Sequence, residues 1–184
     1  MTVLPAKPAS TRRAHSMRQT LDALYGGLMA LSALALLCAF LAVTLGIADR
    51  QFGWGLRGLD AYAGYAIAAA LFLALPGTLQ QGEHIRVTLV LQRLPRRWAS
   101  VLEGWCLLAG LALSVALAVF ATRLVWLSKA TNDVSQGSDA TPLWLPQVAM
   151  ALGCIGLALG FADALVSRWR GESFFRVSSE ARSE

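Results

Sequence analysis

Four long stretches of the sequence carry no charged residue, and this feature constrains the fold more than any other. The stretches contain 26, 22, 19 and 23 residues, together 90 of the 184 residues, and are bounded by Asp22 and Asp49, Asp60 and Glu83, Glu103 and Arg123, and Asp139 and Asp163. A helix needs roughly 17–25 mostly apolar residues to cross a bilayer. The sequence therefore predicts an all-α integral membrane protein with four transmembrane helices, over about 24–48, 61–79, 100–125 and 143–166.

The same pattern argues against other classes of protein. Charged residues make up 15% of the chain, against about 25% in soluble domains, which excludes an ordinary soluble enzyme and a disordered chain. The buried helices of a soluble bundle would show a polar face with a 3.6-residue period, and these stretches show none. Five of the six tryptophans fall near the predicted span ends, as expected for a membrane-interface belt, namely Trp54, Trp98, Trp126, Trp144 and Trp169.

The basic residues predict the orientation in the membrane. The N-terminal arm (1–20) and the C-terminal tail (171–184) flank a predicted membrane domain of residues 21–170. Twelve of the 16 lysines and arginines lie in the arm, in the loop between spans two and three, or in the tail and the span end before it. Basic residues concentrate on the cytoplasmic side of membrane proteins. We therefore expect both termini in the cytoplasm, and we interpret the net charge of +5 as topology and lipid contact rather than nucleic-acid binding.

The predicted spans contain no group that suggests catalysis or cofactor binding. Ion pathways and haem need ionisable groups or histidines within the spans, and here Glu103 and Asp163 stand only at the edges. Asp163 is expected at the membrane surface close to Arg168, with an ion-coupling site as the alternative. No zinc-binding cluster, nucleotide motif or nucleophile–base pair is seen. We expect no enzyme activity, no metal and no cofactor, and we interpret the chain as one component of a larger assembly.

Small residues recur at four-residue spacing in the last two spans. Such spacing allows helices to approach closely in lipid, so Gly110, Ser114, Ala118, Gly156 and Gly160 are candidate helix-packing positions. Alanine contributes little hydrophobicity, and the Ala-rich second and third runs are therefore predicted to pack against other helices rather than face lipid on all sides.

The loop between spans two and three has an ordered apolar stripe. If residues 82–94 are helical, Val87, Val90, Leu91 and Leu94 share one face, which predicts a short amphipathic helix at the cytoplasmic interface; a plain basic loop is the alternative. Prolines mark three further points. Pro76 predicts a kink or a stop in the second span, Pro95 ends the amphipathic segment, and Pro142 or Pro146 starts the fourth span.

Taken in order, these pieces resemble the DctQ-type small membrane subunit of TRAP (tripartite ATP-independent periplasmic) transporters over about residues 20–170. The matching features are an arginine and an aromatic residue after span one, an acid opening span two, a Gly-x-His-Ile-x-Val stretch, a Leu-Pro-x-Arg motif and a Pro-rich entry to span four. The residues concerned are Arg50 with Phe52, Asp60, Gly82-Glu83-His84-Ile85-Arg86-Val87, Leu94-Pro95-Arg96-Arg97 and Pro142-Leu143-Trp144-Leu145-Pro146. The chain departs from the family pattern where Asp60 replaces a glutamate, often paired, and where Pro76-Gly77 replaces an aromatic-glycine stretch.

The resemblance implies a scaffold in the bacterial inner membrane. Such a subunit joins a large membrane subunit that carries the substrate, commonly an organic acid, with sodium, after a periplasmic solute-binding protein delivers it. His84, Arg86 and Val87 are then expected to shape the interfacial helix, and Arg50 and Asp60 to contact each other or the large subunit. The alternatives are a small exporter, the membrane anchor of a redox complex, and an unrelated four-span assembly or sensor protein.

Overall fold

The computed structural model describes residues 9–81, 95–137 and 140–170 and places nearly all of them in four helices. Every helix contains a window apolar enough to cross a membrane, with mean hydropathy of 2.5, 1.5, 2.2 and 2.0 in chain order. The helices are α1 (Ala9–Phe52), α2 (Leu59–Gln81), α3 (Arg96–Ala130) and α4 (Trp144–Arg170). The prediction of an all-helical chain with four long apolar helices is confirmed.

All four helices extend beyond the predicted spans at one or both ends, and α1 and α3 extend the furthest. α1 begins at Ala9, so the second half of the predicted N-terminal arm is helical. α3 continues to Ala130, and Arg123 and Lys129 therefore belong to this helix rather than to the loop that follows it. A few charged residues do not end a helix, because arginine and lysine are good helix formers.

The second helix does not stop at its proline. α2 runs through Pro76 and continues to Gln81, so a stop at this position is the wrong prediction. A proline inside a helix removes one backbone donor, and tertiary contacts compensate for that loss here. The Pro76 side chain is fully buried, and its ring lies against the backbone of α4 at Gly156.

The helices contact each other in the order α1–α2–α4–α3, which differs from the chain order. Residues 53–58 join α1 to α2 and residues 131–143 join α3 to α4 at one end of the molecule, which we call the loop end. The other end, where α2 finishes and α3 begins, is the connector end. α2 and α4 therefore run in the same direction, and α1 and α3 run opposite to their neighbours.

α2 and α4 are the two most buried helices, and α3 adds Leu107 and Ala121 to the apolar clusters around α4. The most apolar windows of α2 and α4 are 33% and 39% buried, whereas those of α1 and α3 are each 17% buried. The prediction that the third run is among the two least hydrophobic is wrong, because the apolar window of α3 has a higher mean hydropathy than that of α4. α3 packs against α4, as expected for a helix that does not face lipid on all sides, but it turns most of its surface outward. Large apolar side chains that are more than half exposed in α3 include Trp105, Leu108, Leu113, Val119 and Phe120.

Candidate interface residues

Among the glycines that the structure describes, those of α4 make the closest approach to a neighbouring helix, at the backbone of α2. A Cβ atom placed on Gly153 would overlap the carbonyl group of Phe72, and one on Gly156 would lie 2.6 Å from the Pro76 ring. Pro76 has no N–H to bond the Phe72 carbonyl four residues earlier, so the proline frees the same carbonyl that faces Gly153. Proline on one helix and glycine on the other thus form one contact, which the sequence pattern does not reveal.

α1 lies against α2 and reaches α4 in its connector half. Ser32 is buried and its hydroxyl donates a 2.7 Å hydrogen bond to the carbonyl of Ala70. A Cβ atom on Gly160 would lie 2.9 Å from Leu79 and 4.0 Å from the Tyr25 hydroxyl oxygen. Gly156 and Gly160 therefore face α1 and α2, not α3.

α3 contacts α4 along one narrow stripe. The buried positions of α3 are Leu107, Ser114, Ala121 and Ser128, which recur every seventh residue. A seven-residue repeat is the signature of two helices that cross at a small left-handed angle. The candidate packing residues lie on or beside this stripe: Gly110 faces the Phe161 ring, Ser114 bonds the Leu111 carbonyl of its own helix, and Ala118 packs against the cluster of Ala121, Ala151 and Cys154.

Polar contacts close the connector end. Arg168 on α4 donates to the Glu103 carboxylate at 2.8 Å and to the Ser100 hydroxyl at 2.8 Å, both on α3. The sequence predicts that Asp163 lies close to Arg168, and the structure adds that the Arg168 guanidinium reaches across to α3. On the other side of the molecule, Gln80 bonds the Asp22 carboxylate and ties α2 to α1.

At the loop end, Arg50 and Asp60 form an ion pair with an N–O distance of 2.9 Å between α1 and α2. Both side chains are largely exposed, at 72% and 84% of their surface. Asp49 accepts a hydrogen bond from the backbone N–H of Leu56 and holds the connecting loop. A shallow cavity of about 230 Å³ lies beside this pair and reaches Gly137 of the second loop.

The second loop is fixed to the first half of the molecule. Thr141 donates to the Tyr62 hydroxyl of α2 at 3.2 Å, and Pro142 pairs with Val134 across the loop. The fourth helix begins at Trp144, between the two prolines proposed as its start. The Lys129 ammonium of α3 lies 5.7 Å from the centre of the Trp144 ring, a cation–π distance.

The remaining candidate residues are Pro95 and those of the predicted interfacial helix. Pro95 directly precedes α3 with an extended backbone, φ −55° and ψ 140°, which suits the residue before a helix. The predicted interfacial helix and its candidates, Gly82, His84, Ile85, Arg86 and Val87, lie outside the described residues.

The four membrane-length helices, joined by polar contacts at both ends, were compared with known protein families. The family model for the DctQ component of tripartite ATP-independent periplasmic transporters matches residues 39–171, which is more than half of the chain. The chain belongs to the DctQ family. It is a small subunit of a TRAP transporter and not an enzyme. Comparisons with curated proteins and with solved structures found no match.

The partners of several DctQ residues that organise the fold could not be recognised in advance. Gly153, which belongs to the small-residue spacing of the fourth span, meets Phe72 at the turn before Pro76, and Glu103 pairs with Arg168 at the connector end. In the sequence, Gly153 is one glycine among several small residues, and Glu103 and Arg168 are charges at the edges of spans. Neither feature indicates which residue lies opposite. Their partners are distant in sequence, so only the packing identifies them.

Proposed function

We propose that this DctQ subunit is a static scaffold that widens and anchors the large membrane subunit of a TRAP transporter in the bacterial inner membrane. In this proposal the large subunit carries an organic acid, delivered by a periplasmic solute-binding protein, in symport with sodium. The supporting observation is the way the four helices are fastened together. Close backbone contact joins α2 to α4, and polar contacts join both outer helices to this pair.

The outer surface supports a role in contact with lipid or protein within the membrane. α1 exposes Leu34, Leu37, Phe40 and Leu41 to more than half of their surface. Such a surface is apolar along the length of a span and requires lipid or a membrane partner to cover it. A unit that is rigid inside and apolar outside suits a scaffold better than a moving carrier.

Co-purification and transport test the proposal together. A tagged chain, expressed with the large subunit and the binding protein of the same transporter, should retain the large subunit in mild detergent. Proteoliposomes that contain both membrane subunits and receive the binding protein should take up an organic acid with a sodium gradient, whereas the small subunit alone should not. Failure to retain any large membrane subunit, or retention of a different complex, would contradict the scaffold role.

The proposed topology places the loop end in the periplasm and both termini in the cytoplasm. A reporter fused after Glu184 should then be active in the cytoplasm, and periplasmic activity would overturn the orientation. We also propose that residues 82–94 form an interfacial helix shaped by His84, Arg86 and Val87, and that Arg50, Asp60, Pro95, Pro142 and Trp144 lie at a membrane or subunit interface. Cysteine labelling along residues 82–94 should show a helical period of accessibility, and uniform accessibility would contradict the helix.

A further inference from the structure

The packing of α3 on α4 places one charged residue at an unexpected level. Gly110 lies beside Phe161, and Lys129 lies beside Trp144. These two contacts set the register of the antiparallel pair and put Arg123 level with α4 residues 149–150. Arg123 is six residues from Lys129, so it lies about 9 Å closer to the middle of the molecule than the Lys129–Trp144 contact.

The other helices show what surrounds Arg123 at this level. Gly153 of α4 meets Phe72 of α2, so residues 149–150 are level with about residue 68 of α2. Ser32 bonds Ala70, which places residues 33–36 of α1 at the same level. All of these positions lie well inside the charge-free stretches of their helices. α3 is thus shifted along the bundle, and its arginine lies at the depth of the apolar interior.

Arg123 points away from the rest of the chain. It is two residues, or about 200° of helical rotation, from the buried Ala121 that faces α4, and its side chain is exposed. Phe120 and Trp126 on the same side of α3 are 66% and 71% exposed. Within the part of the chain that the structure describes, Arg123 makes no ion pair. An arginine at this depth is costly unless a counter-charge or acceptor meets it.

Lipid headgroups are a poor partner for this guanidinium. α3 runs from the connector end to the loop end, and side chains in a helix lean toward its N-terminus. The Arg123 side chain therefore starts in the direction away from the nearer surface, and it must reverse that direction to reach lipid phosphates at the loop end.

A second copy of the chain is also a poor partner. A two-fold axis along the bilayer normal keeps each residue at its depth. At the level of Arg123, the described segments of the other three helices carry no acidic residue. A symmetric dimer therefore supplies no carboxylate for Arg123.

We propose that the face of α3 around Arg123 is where the large membrane subunit binds, and that a carboxylate on one of its membrane helices pairs with the Arg123 guanidinium. This inference rests on the proposed function and adds which helix makes the contact and by what chemistry. The partner surface is an apolar helix face that covers Phe120 and Trp126 and carries an aspartate or glutamate at the depth of Arg123.

Co-purification of the tagged chain with the large subunit tests the pairing. Arg123→Leu should lower retention of the large subunit on the order of tenfold, the ratio expected for one interhelical polar contact of about 1–2 kcal/mol in lipid, and Arg123→Lys should retain an intermediate amount. Arg57→Leu removes an exposed basic residue from the loop between α1 and α2 and is the matched control, which should retain as much as wild type. Arg123→Glu should be restored by a basic residue in place of the partner carboxylate.

A photo-crosslinker in place of Phe120 tests the same face with Arg123 intact, so it does not depend on the folding of Arg123 variants. The expected product joins the chain to the large subunit. Crosslinks only to phospholipid or to a second copy, or full retention by Arg123→Leu, would overturn the inference and leave the scaffold role intact. A wild-type chain that retains no large subunit would instead refute the scaffold role itself.

Discussion

α2 and α4 differ from α1 and α3 in how the same kind of apolar sequence is used. The inner helices approach each other until glycine on α4 touches the backbone of α2. The outer helices are less buried and expose large side chains over most of their length. Lipid tails are as apolar as leucine, so membrane helices associate through close packing and polar bonds rather than through hydrophobic burial. The contact between α2 and α4 therefore depends on glycines that have no side chain. The outer faces of α1 and α3 instead present large apolar side chains to lipid or to a membrane partner.

The strongest test of this comparison is Gly153→Leu. The new side chain would displace the Phe72 carbonyl, which belongs to the backbone and cannot turn away. We expect a loss of about 3 kcal/mol or more, the upper range for overpacking, seen as a large fall in the thermal unfolding temperature in detergent. Gly64→Leu is the control, because a Cβ at Gly64 meets nothing within 4 Å. Equal effects of the two substitutions would remove the distinction between inner and outer faces.

Gly110→Ala tests the outer seam between α3 and α4. A Cβ there would lie 2.5 Å from the Phe161 ring, and a ring can turn where a backbone cannot. We expect a smaller loss of about 1–2 kcal/mol, partly recovered in the double variant with Phe161→Leu. A loss as large as that of Gly153→Leu would show that the outer seam is packed as rigidly as the inner one.

The Glu103–Arg168 pair tests how the outer helix α3 is held at the connector end. The Arg168 side chain is 27% exposed and that of Glu103 is 43% exposed, so the arginine is the more buried of the two. A double-mutant cycle with Glu103→Gln and Arg168→Gln should give a coupling energy of about 1 kcal/mol, as for partly exposed charge-assisted bonds. Additive effects in the cycle would mean that the Ser100 contacts alone position Arg168.

The smallest effect is expected for the Arg50–Asp60 pair, because both side chains are largely exposed. Asp60→Asn should lower unfolding stability by no more than about 0.5 kcal/mol, and high salt should reduce the difference further. Retention of the large subunit should be measured on the same variant. A loss of retention with unchanged stability would indicate that the pair contacts the large subunit rather than only joining α1 to α2. A large stability loss would show that this pair fastens α1 to α2, as the inner contacts fasten α2 to α4.

The sequence predicted the four helices because the cost of placing charge in hydrocarbon acts on each residue separately. Uncharged runs of sufficient length mark a span whatever they pack against. The loop prolines similarly bracket the start of α4 at Trp144, since the missing N–H of proline is a local property.

Only the tertiary structure decided which helices lie inside. Alanine content pointed to α2 and α3, whereas the two most buried helices are α2 and α4. Gly153 allows the close contact of α4 with α2 because it lies against the Phe72 carbonyl, and the Pro76 ring fits between the helices because it lies against Gly156. The depth of Arg123 could not be predicted either, because this arginine ends the third charge-free stretch and its level relative to the other helices follows only from the packing of α3 on α4. Register along neighbouring helices depends on pairs of residues far apart in sequence, and such pairs exist only once the helices pack.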